Sequence, residues 1–445
     1  MPGGHSKNQA KKIVLLIVTG VAFGQEEPES NGISFGGWGR AVFVPVQGIF
    51  VDDADPVFKS GVGSGWRPAY MGFSVKFSAL DGRIGAASDI NGGAGSVEVG
   101  DNLHIWAKPF GSDILYIAVG KVWDGRFRGL GSIDDDFNGY VGGTGGSGDP
   151  VFQRFADGGA LFISQPITGL SVYAFIRPGY NTLSNTNTTN PAGGAINPSS
   201  VTAADVYKKI QAGFAYDIPN IGLARAQWFG NSMDFTAAVY DTYVFSAATG
   251  LINQVPVVPQ PTYPFVANPA RIEAAFKLTA VENLNLDIGI KIPIPVEEGI
   301  VTYHDNFQAN LIGDFTSGDF KVAFGVLTGF GGRIATDVPG ISAAKLQSYA
   351  KITVIPSFYI AAIDATVGGD IGFKAEGESE TPVGTTARGN KDQGITFGIG
   401  AWISRDLGKS NIKTGLGYTF PKYGDNGTTG GVSYLTWPII LTASF

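Results

Sequence analysis

The chain has 445 residues with Gly 65, Phe 30, Tyr 16, Trp 7 and no cysteine, a formal net charge of −7, hydrophobic residues at 44% and charged residues at only 16%. Soluble domains usually carry about 25% charged residues, so this balance argues against an ordinary large soluble enzyme. The missing cysteine excludes a disulfide framework and a thiol nucleophile, and no composition break or charged linker divides the chain in two.

Taken in chain order, Lys7, Lys11 and Lys12 precede the apolar run Ile13–Gly24, with small residues Ala22 and Gly24 before Gln25. This predicts a secretory signal peptide over 1–24, since an anchoring helix needs about 20 apolar residues. Residues 25–31 then form a short periplasmic segment. Removing three lysines and no acids takes the formal charge from −7 to −7 − 3 = −10.

Beyond residue 31 the pattern is alternation with period two. Met71, Phe73, Val75 and Phe77 alternate with Gly72, Ser74, Lys76 and Ser78. Leu284, Leu286, Ile288, Ile290 and Ile292 alternate with Asn285, Asp287, Gly289 and Lys291, and Ile395, Phe397, Ile399, Ala401 and Ile403 do the same. The final stretch puts Leu435, Trp437, Ile439, Leu441, Ala443 and Phe445 on one face, to the last residue. A soluble sandwich alternates too, but here the second face repeatedly combines Gly, Ser, Thr, Asn and Lys, over segments of about ten residues that match tilted membrane-spanning strands.

Strands are predicted at 33–45, 68–78, 83–90, 102–109, 114–123, 153–164, 170–177, 206–217, 222–230, 270–280, 285–295, 306–314, 320–330, 347–355, 362–374, 393–403, 411–420 and 434–445. Tight turns at 80–82, 111–113, 166–169, 282–283 and 316–319 alternate with long polar stretches at 46–67, 124–152, 178–205, 331–346, 375–392 and 421–433. Residues 234–245 also have strand-forming composition, but counting them as one more wall strand would put the two chain ends on opposite sides of the membrane. They are assigned, with the Pro-rich Pro256–Pro261, to an external loop over 231–269.

The signal peptide, the alternation over 32–445, the loop asymmetry and the terminal Phe445 together resemble a bacterial outer-membrane β-barrel of porin-like type. The resemblance implies one all-β, antiparallel, up-and-down transmembrane barrel over 32–445, with both ends at the periplasmic rim and an even strand count. About eighteen strands are expected, sixteen being the nearest alternative. It further implies outer-membrane lipid around the wall, recognition of Phe445 by the barrel-assembly machinery, and a homotrimer as a possible assembly.

A barrel of this width leaves an aqueous lumen unless a loop folds inward. Strand parity turns Arg40, Lys76, Arg83, Lys108, Arg177, Lys209, Arg225, Lys277, Lys291, Lys351, Lys374 and Lys413 inward, against Asp89, Glu273, Asp287, Asp364 and Asp370, so basic groups predominate on the expected wall. The loop 124–152 after the fifth strand stands where porins carry their constriction loop. That resemblance places Asp134, Asp135 and Asp136 at the narrowest point, with Arg126 and Arg128 as local partners; an exposed acidic loop is the other reading.

The same loop opens a calcium-binding pattern at Asp134, Asp136, Asn138 and Gly139, but Gly145 stands where the closing Glu belongs, so any Ca2+ binding there is weak and no metal site is assigned. Catalysis has little support, because only His104 and His304 remain after the signal peptide and no nucleophile pair or glycosidase carboxylate spacing stands out. No phosphate cradle or nucleic-acid strip appears. Two functions remain: a channel for passive diffusion of small hydrophilic solutes, and a barrel-anchored surface protein whose loops meet a partner.

Overall fold

Eight short connections, all at one rim, contain a residue with a left-handed backbone, among them Asp81, Asn220, Asn283, Gly318, Asp364 and Gly408. Asn, Asp and Gly accept positive φ at low cost, so these turns reverse the chain in a few residues. In the computed structural model they join sixteen of the eighteen wall strands in pairs. The wall strands are β1 (Gly32–Val51), β2 (Ala69–Ala79), β3 (Ile84–Gly93), β4 (Ser96–Ala107), β5 (Tyr116–Asp124), β6 (Phe155–Ile167), β7 (Leu170–Ile176), β8 (Ile210–Ile218) and β9 (Gly222–Phe229). The others are β10 (Arg271–Leu278), β11 (Leu284–Pro293), β12 (Phe307–Ser317), β13 (Phe320–Phe330), β14 (Tyr349–Ile360), β15 (Ala365–Glu376), β16 (Gly394–Leu407), β17 (Ser410–Thr419) and β18 (Val432–Ser444).

The structure describes residues 31–444 apart from 52–53, 63–68, 94–95, 112–113, 129, 131–150, 153–154, 177–209, 231–232, 239–241, 247–250, 256–261, 268–269, 299–300, 337–343, 347, 378–393 and 421–431. Signal peptide 1–24, Arg177, Lys209, Asp134–Asp136, Asn138 and Phe445 therefore lie outside the described residues.

Each wall strand pairs antiparallel with its neighbours in chain order, and β18 pairs with β1 from Trp38 opposite Ser444 to Val51 opposite Val432. The sheet thus closes on itself, which satisfies the backbone donors and acceptors that hydrocarbon would leave unpaired. All eighteen expected strands are present, and the count of eighteen holds over sixteen. Where β18 meets β1 the register shifts between Phe43 and Val46, at Pro45 and opposite Pro438, whose missing N–H cannot serve the ladder.

The outer face carries the apolar set of every alternation. Phe35, Phe73, Ile105, Ile288, Ile352, Ile399, Trp437 and Leu441 are all exposed, as a lipid-facing belt requires. On this face the Trp437 indole N–H donates to Thr414 Oγ1 at 3.0 Å, and that hydroxyl donates on to the Pro438 carbonyl at 3.0 Å. The polar handle is satisfied without water.

Four expectations are corrected. The stretch 46–67 is not all loop: β1 runs on to Val51, and a short strand, Val57–Val62, pairs back on it above the start of β2. Arg83 is not a wall residue; it completes the turn after Leu80, Asp81 and Gly82, is exposed, and donates to the Pro109 carbonyl at 3.1 Å. Lys108 lies just past the end of β4 beside that turn, its N–H on the Arg83 carbonyl at 2.6 Å, and Asp364 likewise sits in a turn. For Arg83, Lys108 and Asp364 the strand stops short of the alternation, because the turn takes its residues from the strand end.

The external segment 231–269 stays out of the wall, as expected. Its described residues form two strand pairs, Met233–Ala238 with Thr262–Ala267 and Thr242–Ser246 with Leu251–Val255. Beside it Val296–Glu298, Val301–His304, Arg333–Thr336 and Ala344–Lys345 make a separate four-stranded sheet.

Candidate functional site in the barrel lumen

The inner face is not uniformly wet. On β4 to β7 the inward positions Trp106, Tyr116, Ala118, Val122, Phe155, Leu161, Ile163, Tyr173 and Phe175 are buried together with Phe152 in one apolar cluster. A water-lined wall was expected here; instead this arc has a hydrophobic inner face as well as a hydrophobic outer one, and something must cover it.

The cover is the segment that follows β5. Phe127 packs on the cluster, stacked on the Tyr173 ring at 4.8 Å and edge-on to Phe155 at 6.1 Å. Three residues on, Leu130 packs against Ile312, Ala323, Ile355 and Trp402, inward side chains of β12, β13, β14 and β16. Arg126 stays near its own strand, with its guanidinium 2.6 Å from the Asp124 carboxylate and 4.7 Å from the Tyr116 ring centroid. Arg128 is buried, and its N–H closes a turn on the Gly125 carbonyl at 2.8 Å.

Two wall residues from the expected inward set hold this segment. Arg225 on β9 and Asp287 on β11, each 2% exposed, form an ion pair. Arg225 Nη1 also donates to the Phe127 carbonyl at 2.9 Å, and the Leu130 N–H donates to Asp287 Oδ2 at 2.8 Å. Lys277 stands opposite Asp287 in the ladder between β10 and β11. Nearby, Glu273 is fully buried, accepting from Gln227 at 2.6 Å and from Arg271 at 2.5 Å, while Gln227 accepts from Tyr173 at 3.1 Å and Gln211 at 2.9 Å.

Further round, Lys291 pairs with Asp305 at 2.8 Å, Lys374 with Glu376, and Lys351 lies 5.6 Å from the Tyr349 ring. The acid Asp370 accepts the Trp402 indole N–H at 2.7 Å, and Lys413 lies 4.1 Å over that indole. The basic excess read from the sequence is therefore unevenly placed. From β9 to β15 Arg225, Arg271, Lys277, Lys291 and Lys374 stand against acids, Lys351 lying against Tyr349, whereas β17, β18, β1 and β2 contain no Asp or Glu at all and turn Lys413, Arg40 and Lys76 inward. Beside those cations small or polar inward positions, Gly415, Gly417, Thr436, Thr442, Gly72, Ser74 and Ser78, alternate with a small buried apolar cluster of Val42, Val44 and Ile440.

His304, which stands beside Asp305, hydrogen-bonds through Nδ1 with that residue's backbone carbonyl at 2.8 Å and forms no triad with its carboxylate. Among the described residues no group of three or more His, Asp or Glu is placed to hold a metal ion.

A closed eighteen-strand wall, apolar outside and polar or charged over much of its inside, has the architecture of a transmembrane β-barrel. No protein-family model and no curated protein matches the chain. Solved structures of similar architecture include OpdQ of Pseudomonas aeruginosa, at 11% identity and TM-score 0.47 over 93% of this chain and 97% of that one. An anion-selective porin from Comamonas acidovorans is similar at 9% identity and TM-score 0.43, over 94% and 100%. OmpT, an outer membrane protein of Vibrio cholerae solved as a trimer form, is similar at 12% identity and TM-score 0.38, over 94% and 100%.

Proposed function

We propose that the protein is a channel of the bacterial outer membrane for passive diffusion of small hydrophilic solutes, narrowed by the loop 124–152. The observation that carries this reading is the contrast within one lumen: an apolar arc covered by the start of that loop, and, across β3, an acid-free arc where Gly, Ser and Thr stand with three cations beside the small cluster of Val42, Val44 and Ile440. Water and small solutes follow the polar arc. Purified barrels in planar bilayers should give discrete conductance steps, and replacing Asp134, Asp135 and Asp136 with Asn should shift the reversal potential toward anions, because charge at a constriction has a focused field. A barrel with no conductance would sink the reading, and unchanged selectivity in the triple variant would remove those three residues from the narrowest point.

The external strand pairs of 231–269 favour a second reading, a barrel-anchored surface protein whose loops bind a partner. Non-conducting barrels are its signature in the same experiment.

The accompanying proposals are export by signal peptide 1–24, homotrimeric assembly, and Phe445 as the signal for the assembly machinery. Deleting Phe445 should lower the yield of heat-modifiable, membrane-integrated protein well below that of Thr442→Ala, whose site faces the lumen. Equal yields would show that the terminal aromatic carries no such signal.

A further inference from the structure

One guanidinium touches both ends of the loop. Arg225 donates to the Phe127 carbonyl at the loop's start, and its guanidinium carbon lies 5.2 Å from the ring centroid of Phe152 at the loop's end. Its partner Asp287 accepts both from Arg225 and from the Leu130 N–H. Beside Phe152, Val151 abuts the wall at Gly289, where an added Cβ would come within 2.6 Å of its methyl group. Two backbone groups three residues apart and the far stem are thus gathered on one ion pair, contributed by β9 and β11.

We propose that Arg225 and Asp287 act as a clamp that seats the two stems of the loop, at Phe127 and Leu130 and at Val151 and Phe152, against the lumen wall and so narrows the channel there; as a statement about aperture, this rests on the channel reading above. The chemistry suits the role. Each charge is removed from water and would be costly there alone, so each must find every partner it can. Besides Lys277, which stands opposite Asp287, the hydrogen-bonding partners they find are each other and the peptide groups of the loop, which makes the pair and the loop's seat mutually dependent. Charge-assisted hydrogen bonds to peptide groups are short and directional, so they fix the turn at 125–128 more tightly than the apolar contacts of Phe127 and Leu130 do by themselves.

The test uses full-length barrels carrying Leu130→Cys, which introduces a unique thiol because the chain has no cysteine. The double variant Arg225→Met with Asp287→Leu removes both charges and leaves neither unpaired. Maleimide labelling of the introduced thiol should accelerate by about tenfold or more, the loss corresponding to one charge-assisted hydrogen bond, and single-channel current should rise in amplitude and open-channel noise. Asp287→Asn, which keeps the shape and an acceptor, should give an intermediate rate and supplies the answer if the double variant does not fold. Labelling and current unchanged from the parent in folded variants would overturn the clamp. Labelling that accelerates in barrels that never conduct would support the clamp and sink the channel reading instead, since labelling needs no current.

Discussion

Replacing Arg40, Lys76 and Lys413 together with Gln should abolish a preference for small anions at low salt, moving the reversal potential under a salt gradient toward or past zero. These are the inward cations of β17, β18, β1 and β2, and those strands carry no Asp or Glu of their own. At 0.1 M salt the screening length is about 10 Å, comparable with the reach of such side chains across a narrowed lumen, and at 1 M it is about 3 Å. The effect should therefore be several-fold in permeability ratio at low salt and small at 1 M. A matched control removes a pair: Lys374→Gln with Glu376→Gln takes away one cation and the acid it already contacts, leaving net wall charge unchanged and selectivity nearly so. If the triple variant keeps the parent's reversal potential, the polar arc is not the path of the ions.

The second large effect concerns the outer face. Ile288→Lys should destabilise the barrel by about 2–4 kcal/mol, the cost of a lysine on the lipid face near the bilayer midplane, while Ile288→Leu should change little. Ile288 is 47% exposed between the outward Phe276 and Leu311 of the neighbouring strands, whereas Asp287, one residue earlier, is buried inside against Arg225. A period of two puts adjacent residues in opposite solvents, so one step along the chain reverses what charge does. Urea unfolding in lipid vesicles followed by tryptophan fluorescence measures the difference. A lysine variant as stable as the parent would mean that this face is covered by protein rather than lipid.

The same period explains how much of the fold was legible in the sequence. Alternation such as that of Leu284–Ile292 is a local property, readable within a dozen residues, and so is the turn chemistry of Asp81-Gly82 or Asn283; strand number and the inside and outside of most strands follow from these alone. The inner apolar arc left a fainter trace. Ile114–Val119, Ala160–Ile163 and Val172–Phe175 are apolar at successive positions, the mark of strands buried on both faces. Phe127 and Leu130 are the bulky apolar residues in the first turn of a loop otherwise rich in Gly and Asp.

What tertiary structure alone decided is which distant groups meet. Arg225 and Asp287 are 62 residues apart, Arg225 and Phe127 are 98, and Leu130 and Asp287 are 157. Composition could count cations and acids on the wall, but it could not tell that those of β9 to β15 face one another while the acid-free strands β17 to β2 gather into one continuous arc. That distinction depends on barrel closure, which brings β18 beside β1 and turns eighteen independent alternations into one circumference. The sequence by itself determined strands, turns and faces, because those are set by residues within hydrogen-bonding reach along the chain. The clamp, the covered apolar arc and the acid-free arc were decided only on closure, because their free energy comes from burial and charge pairing between segments that have no local reason to be near each other.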